Sequence, residues 1–148
     1  MNMFKRILLA YDGSQGAQLA LGRSRELFTT ATEVHLLAVG RIPEYAETVS
    51  EVDEAKEQAA RHYGAAIEQA AQGLRDAGLS VAVHLEYGKV GDTIVRVAET
   101  IGADLIVLGT NPHTALKRRV LGASADKVVD HAHCSVLVVR VTGTQGQT

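Results

Sequence analysis

Tryptophan is missing from the 148 residues, and phenylalanine and tyrosine together make up 4%. Base-stacking platforms for single-stranded nucleic acid need more rings than that. The single cysteine, Cys134, has no partner for an internal disulfide, which fits a reducing compartment. Neither sign of charge dominates: Lys plus Arg is 15, Asp plus Glu is 17, and the net charge is -2. The positive field of a generic nucleic-acid or anionic-membrane binder is therefore lacking. Long apolar runs are lacking too. Ile7 to Ala10 follows Lys5 and Arg6, then Tyr11 and Asp12 interrupt it. A signal peptide needs about 7–15 apolar residues, and a membrane span needs roughly 18. The expected address is the cytoplasm, with no membrane insertion and no nucleic-acid partner. Prolines number two, Pro43 and Pro112, against fourteen glycines.

The rest of the sequence is rich in alternating patterns. Hydrophobic residues reach 46%, enough for one core in one domain. Strands are predicted at 4–11, 34–39, 80–87, 104–109 and 134–141. Helices are predicted at 17–31, 50–77, 92–101 and 122–132, from apolar residues recurring at a 3.6-residue period. Ser50 offers a hydroxyl cap for the second helix, and Gly78 a stop. Along 80–87, Val81, Val83, Leu85 and Tyr87 face one way and Ala82, His84 and Glu86 the other. Such a strand has one wetter face and suits a sheet edge. Strand and helix alternate throughout, which implies an α/β doubly wound parallel sheet with helices on both faces. The domain is expected to span 1–141, with 142–148 a flexible polar tail.

Ligands of such sheets sit beyond the carboxyl ends of the strands. Loops 12–16, 39–48 and 109–122 lie there. In the first, Asp12 can accept hydrogen bonds from a ribose or a purine amine, or it can cap the following helix. In the third, Gly109 precedes Lys117, Arg118 and Arg119, and Leu121-Gly122-Ala123-Ser124 opens a helix. Free N–H groups at a helix start, unobstructed at Gly122, suit phosphate oxygens. Ser124 adds a hydroxyl. The basic residues read most simply as a solvated stretch, and His113 as exposed.

The order and spacing of several segments are specific together. They are Ile7-Leu8-Leu9-Ala10-Tyr11-Asp12-Gly13-Ser14, Ala103-Asp104-Leu105-Ile106-Val107-Leu108-Gly109, Leu121-Gly122, and His131-Ala132-His133-Cys134 leading into Ser135-Val136-Leu137-Val138-Val139-Arg140. In these the sequence resembles the universal stress protein family. The resemblance implies a five-stranded parallel sheet in the order 3-2-1-4-5, often in a homodimer. It also implies ATP binding through Gly-x-x-Gly, nine residues, then Gly and Ser or Thr. Gly109 matches the first glycine and Gly122 the third. Asp12 matches the acidic residue near the adenosine, and Val39 the position whose backbone touches adenine. Pro112 stands in place of the second glycine and Ala123 in place of the Ser or Thr. Proline has no N–H to donate and holds φ near -65°. Each hydrogen bond lost to a charged phosphate costs about 1.5–3 kcal/mol, or roughly ten- to a hundredfold in affinity.

Nucleotide-binding residues are therefore expected at Asp12, Val39, Gly109, Gly122, Ala123 and Ser124, with ATP, ADP or AMP as ligand at weakened affinity. His131, His133 and Cys134 resemble metal ligands only on paper, since no fourth ligand has suitable spacing. Cys134 reads as a core thiol. No Gly-x-Ser-x-Gly elbow, Walker A stretch or Gly-x-Gly-x-x-Gly occurs. The expected function is a non-enzymatic stress-response binding or signalling module. The alternatives are a nucleotide-independent interaction protein or a weak ATPase. The last strand, with Val136-Leu137-Val138-Val139 at a sheet edge, is expected to pair with a second copy.

Overall fold

The computed structural model describes residues 3–41, 47–110 and 122–140. Pro43, Pro112, His113, Lys117, Arg118, Arg119 and the 142–148 tail lie outside the described residues.

Every apolar run becomes a strand. The strands are β1 (Arg6–Ala10), β2 (Glu33–Gly40), β3 (Ser80–Tyr87), β4 (Leu105–Thr110) and β5 (Ser135–Arg140). All pairings are parallel, and the order is β3-β2-β1-β4-β5. The helices are α1 (Gln15–Ser24), α2 (Val49–Asp76), α3 (Val90–Ile101) and α4 (Ala123–His131).

Successive strand residues point to opposite faces, and both faces are covered. Ile7, Leu9, Leu36 and Val107 pack with Ala17 and Ala20 of α1 and Ile67, Ala71 and Leu74 of α2. Leu8, Leu37, Ile106 and Leu108 pack with Ile94 and Val97 of α3 and Val128 of α4. β1 and β4 are central, so their residues are apolar on both faces. The edge strand β3 is nowhere fully buried, in keeping with its alternating sequence.

Three local readings are corrected. The first helix stops at Ser24 and continues as a single 3-10 turn over Arg25–Leu27. Ser24 turns its hydroxyl back onto the Ala20 carbonyl at 2.7 Å. Phe28 still reaches the core from the segment that follows, which is why the apolar period runs past the helix. The second helix is capped by Thr48, not Ser50: Thr48 Oγ1 accepts the Glu51 N–H at 3.1 Å. The last strand starts at Ser135, leaving Cys134 half-buried just before it. Gly78 ends α2 as expected, with φ +87°.

Candidate functional site

At the carboxyl edge of the sheet, β1 leads to β2 on one side and has β4 on the other. This reversal leaves a crevice. A cavity of about 420 Å³ opens there. Tyr11 and Asp12 just past β1 line it, with Leu37 and Val39 of β2 and Leu108, Gly109 and Thr110 of β4. The starts of α1 and α4 add Ser14, Gly122 and Ser124.

Asp12 is exposed, and its Oδ1 accepts the Ser14 N–H at 2.9 Å. Among the described residues no donor meets Oδ2. The capping reading of Asp12 gives way: Ser14 is the cap, its Oγ accepting the Ala17 N–H at 3.2 Å. A carboxylate oxygen is thus left for a ligand hydroxyl. Burial and the Asp12 charge together hold the neighbouring Tyr11 phenol above its ordinary pKa.

Val39 offers its backbone. Backbone groups alternate sides along a strand. The Leu37 carbonyl accepts the Tyr11 N–H on the β1 side, and the Gly40 carbonyl accepts the Gly88 N–H on the β3 side. The N–H and C=O of Val39 therefore face the β1 side. Pairing with β1 has ended by then, its last register pair being Ala10 with Leu37. One donor and one acceptor project together at the cavity, the complement of a purine amidine edge.

Gly122 precedes α4 with φ +99°, and a Cβ there would meet no described residue within 4 Å. The first intrahelical bond of α4 is Asp126 N–H to the Gly122 carbonyl. The N–H groups of Ala123, Ser124 and Ala125 come before it and lack helical partners. They form an anion-binding end. Ser124 lines the cavity, whereas Ala123 lies off its wall and is exposed. The remaining expected residue, Gly109, has a second duty. A Cβ at this position would overlap the Gly16 carbonyl at the start of α1.

The structure thus brings Asp12, Val39, Gly109, Gly122 and Ser124 to one cavity and leaves Ala123 at its margin. It adds residues that the sequence reading missed. Arg41 follows β2 and lines the cavity with no ion pair or hydrogen bond to any described residue. Tyr63 arrives from α2, and Val90 and Ile94 from α3. In the sequence Tyr63 and Ile94 fall on the apolar stripes of their helices, as core residues do. Asp12 and Arg41 are the charged side chains among the described lining residues.

His133 Nε2 lies 3.3 Å from Glu99 at the far end of α4. Burial, and secondarily Asp104, push the Cys134 thiol above its ordinary pKa.

A model of the universal stress protein family matches residues 3–140. The chain belongs to the universal stress protein family. A universal stress protein of Methanocaldococcus jannaschii is 29% identical over 148 residues, covering 94% of this chain and 84% of that one. Among solved structures, the protein MJ0577, whose biochemical function was assigned from its structure, superposes with a TM-score of 0.83. It is 30% identical and covers 95% of this chain and 99% of its own. Two universal stress proteins share the fold at lower identity. One, in complex with cAMP, has TM-score 0.68 and 19% identity, covering 94% of this chain and 99% of its own. The other, from Arabidopsis thaliana with AMP bound, has TM-score 0.72 and 17% identity, covering 95% and 94%. This universal stress protein has the five-stranded parallel sheet in the order 3-2-1-4-5 that the resemblance implied. Among the described residues no helix is long and apolar enough to cross a membrane.

Proposed function

We propose that this chain is a non-enzymatic stress-response module that binds an adenine nucleotide across the carboxyl edge of β2, β1 and β4. One observation carries the reading. A single cavity joins a carboxylate, a strand-end peptide unpaired among the described residues and a helix start, in that spatial relation. The peptide of Val39 suits the Watson–Crick edge of adenine. Asp12 suits ribose hydroxyls. The α4 N-terminus with Ser124 suits phosphate. AMP and cAMP in two structures of the same fold support the ligand class. Affinity is below that of motif-complete members, because Pro112 lacks an N–H and Ala123 a hydroxyl. Asp12 is the one carboxylate among the described lining residues, which favours binding over hydrolysis.

Calorimetry with ATP, ADP, AMP and cyclic AMP tests this. At least one nucleotide is expected to bind, and Asp12→Ala to weaken it about ten- to a hundredfold, the effect of losing a charge-assisted hydrogen bond. Binding indifferent to Asp12, or no binding, would favour the nucleotide-independent interaction protein instead.

We read the protein as a cytoplasmic homodimer joined through β5. This strand closes one edge of the sheet and leaves Val136, Leu137 and Val138 only partly buried. Such an edge invites a second strand. Sedimentation is expected to give twice the chain mass, and a strict monomer at high concentration would remove this reading.

A further inference from the structure

Two histidines meet on the sheet face that carries α3, and neither lines the cavity. His35 of β2 and His84 of β3 are brought together by the parallel register, which pairs Leu37 with His84 and His35 with Ala82. His35 Nδ1 lies 2.9 Å from His84 Nε2. The rings are close to parallel, 17° apart, with centroids at 5.1 Å. The His35 side chain is only 12% exposed.

Charges bracket the pair. On one side His35 Nε2 lies 3.3 Å from Glu33 Oε1. Glu33 is gripped by Arg6 of β1 at 2.9 Å, and Arg6 in turn donates to the Ile101 carbonyl at 2.8 Å. On the other side Glu86 is two residues from His84, on the same strand face. Arg96 of α3 reaches Glu86 at 3.3 Å. The array runs Arg6, Glu33, His35, His84, with Glu86 and Arg96 beyond.

Proton positions follow from this geometry. Glu33 accepts from His35 Nε2–H, so neutral His35 presents Nδ1 as an acceptor. His84 then donates its Nε2–H across the gap. One added proton leaves a single N–H between the rings, on either nitrogen, and its charge is offset by Glu33. A second added proton puts a hydrogen on both facing nitrogens. At 2.9 Å these cannot coexist, and two like charges oppose each other in a half-dry site.

We propose that His35 and His84 form a proton-operated latch on the edge strand β3: the first proton is held within the pair, and the second parts the rings and loosens β3 from β2. The element biased is a free-edged strand. Among the described residues one strand, β2, holds it by backbone bonds, and α2 packs on its other face. Burial, followed by the proximity of His35, keeps the His84 pKa below its usual 6.5, while Glu86 pulls the other way. The unfolded chain therefore protonates at this residue first as pH falls. The stability from neutral His84 is present above about 6.5 and is lost as pH drops through the folded value.

The test uses the full-length protein and two readouts. Histidine Cε1–H shifts are followed by NMR from pH 8 to pH 4.5, beside amide exchange of residues 80–87. Wild type is expected to show two coupled steps more than about one pH unit apart. Exchange in β3 is expected to speed up about tenfold with the second step, ahead of β1 and β4. In His35→Gln the surviving His84 is expected to titrate in one step, nearer the ordinary value, with the acid-linked loosening abolished. Two independent one-site curves in wild type would overturn the latch. So would β3 exchange that speeds up in step with the whole sheet, or a loosening that persists unchanged in His35→Gln.

Discussion

Gly109→Ala is expected to lower the unfolding free energy by about 3 kcal/mol or more, in the absence of any ligand. The methyl group would occupy the space of the Gly16 carbonyl, with the Ala17 N–H a further 3.1 Å neighbour. These are main-chain atoms, so no side chain can swing away. The start of α1 would have to lift from β4, and Ala17 and Ala20 would lose their buried places. Gly122→Ala makes the informative contrast. Among the described residues it meets no neighbour, and its cost is the strain of a side chain at φ +99°, about 1–3 kcal/mol. Denaturant unfolding of both variants without nucleotide separates the two causes. A Gly109→Ala protein as stable as wild type would mean that this glycine serves a ligand alone.

Restoring the family motif gives the second large effect. Pro112→Gly with Ala123→Ser is expected to tighten ATP binding by about ten- to a hundredfold for each phosphate contact regained. Position 112 lies outside the described residues, and the expectation there is chemical: glycine has the N–H that proline lacks. At 123 the added hydroxyl sits beside the free N–H groups that open α4. Because both changes act on phosphate, adenosine is expected to gain little and ATP most. Calorimetry across adenosine, AMP and ATP reads the gradient. An equal gain for adenosine would show that the substitutions reshape the cavity and do not add phosphate contacts.

The fold was legible because its cause is local. Continuous apolar runs at β1 and β4 and alternation at β3 state how many faces each strand buries. The alternation of strands with helices leaves little topological choice. Where two local signals compete, the sequence does not decide. Thr48 and Ser50 are both good caps, and the structure selects Thr48. Phe28 extends an apolar period that the helix itself abandons at Ser24. The site was half legible. Asp12, Gly109, Gly122 and Ser124 sit on loops or helix starts that the topology brings to the cavity. Tyr63 and Ile94 look like any other core residue until helix packing turns them toward the opening. Arg41 follows a strand with no motif around it. His84 could be placed on the wetter face of its strand, but its partner, 49 positions away, depends on register, which alternation alone leaves open.

The peptide of Val39 has one more consequence. Its donor and acceptor belong to the main chain, and every residue type except proline carries that pair. Position 39 can therefore drift among apolar residues that fit the core while the base contact proposed for it would persist. Searches keyed to invariant side chains would pass over it. The part of this pocket with the sharpest chemical selectivity would then be the part that leaves the faintest trace in a family's sequences.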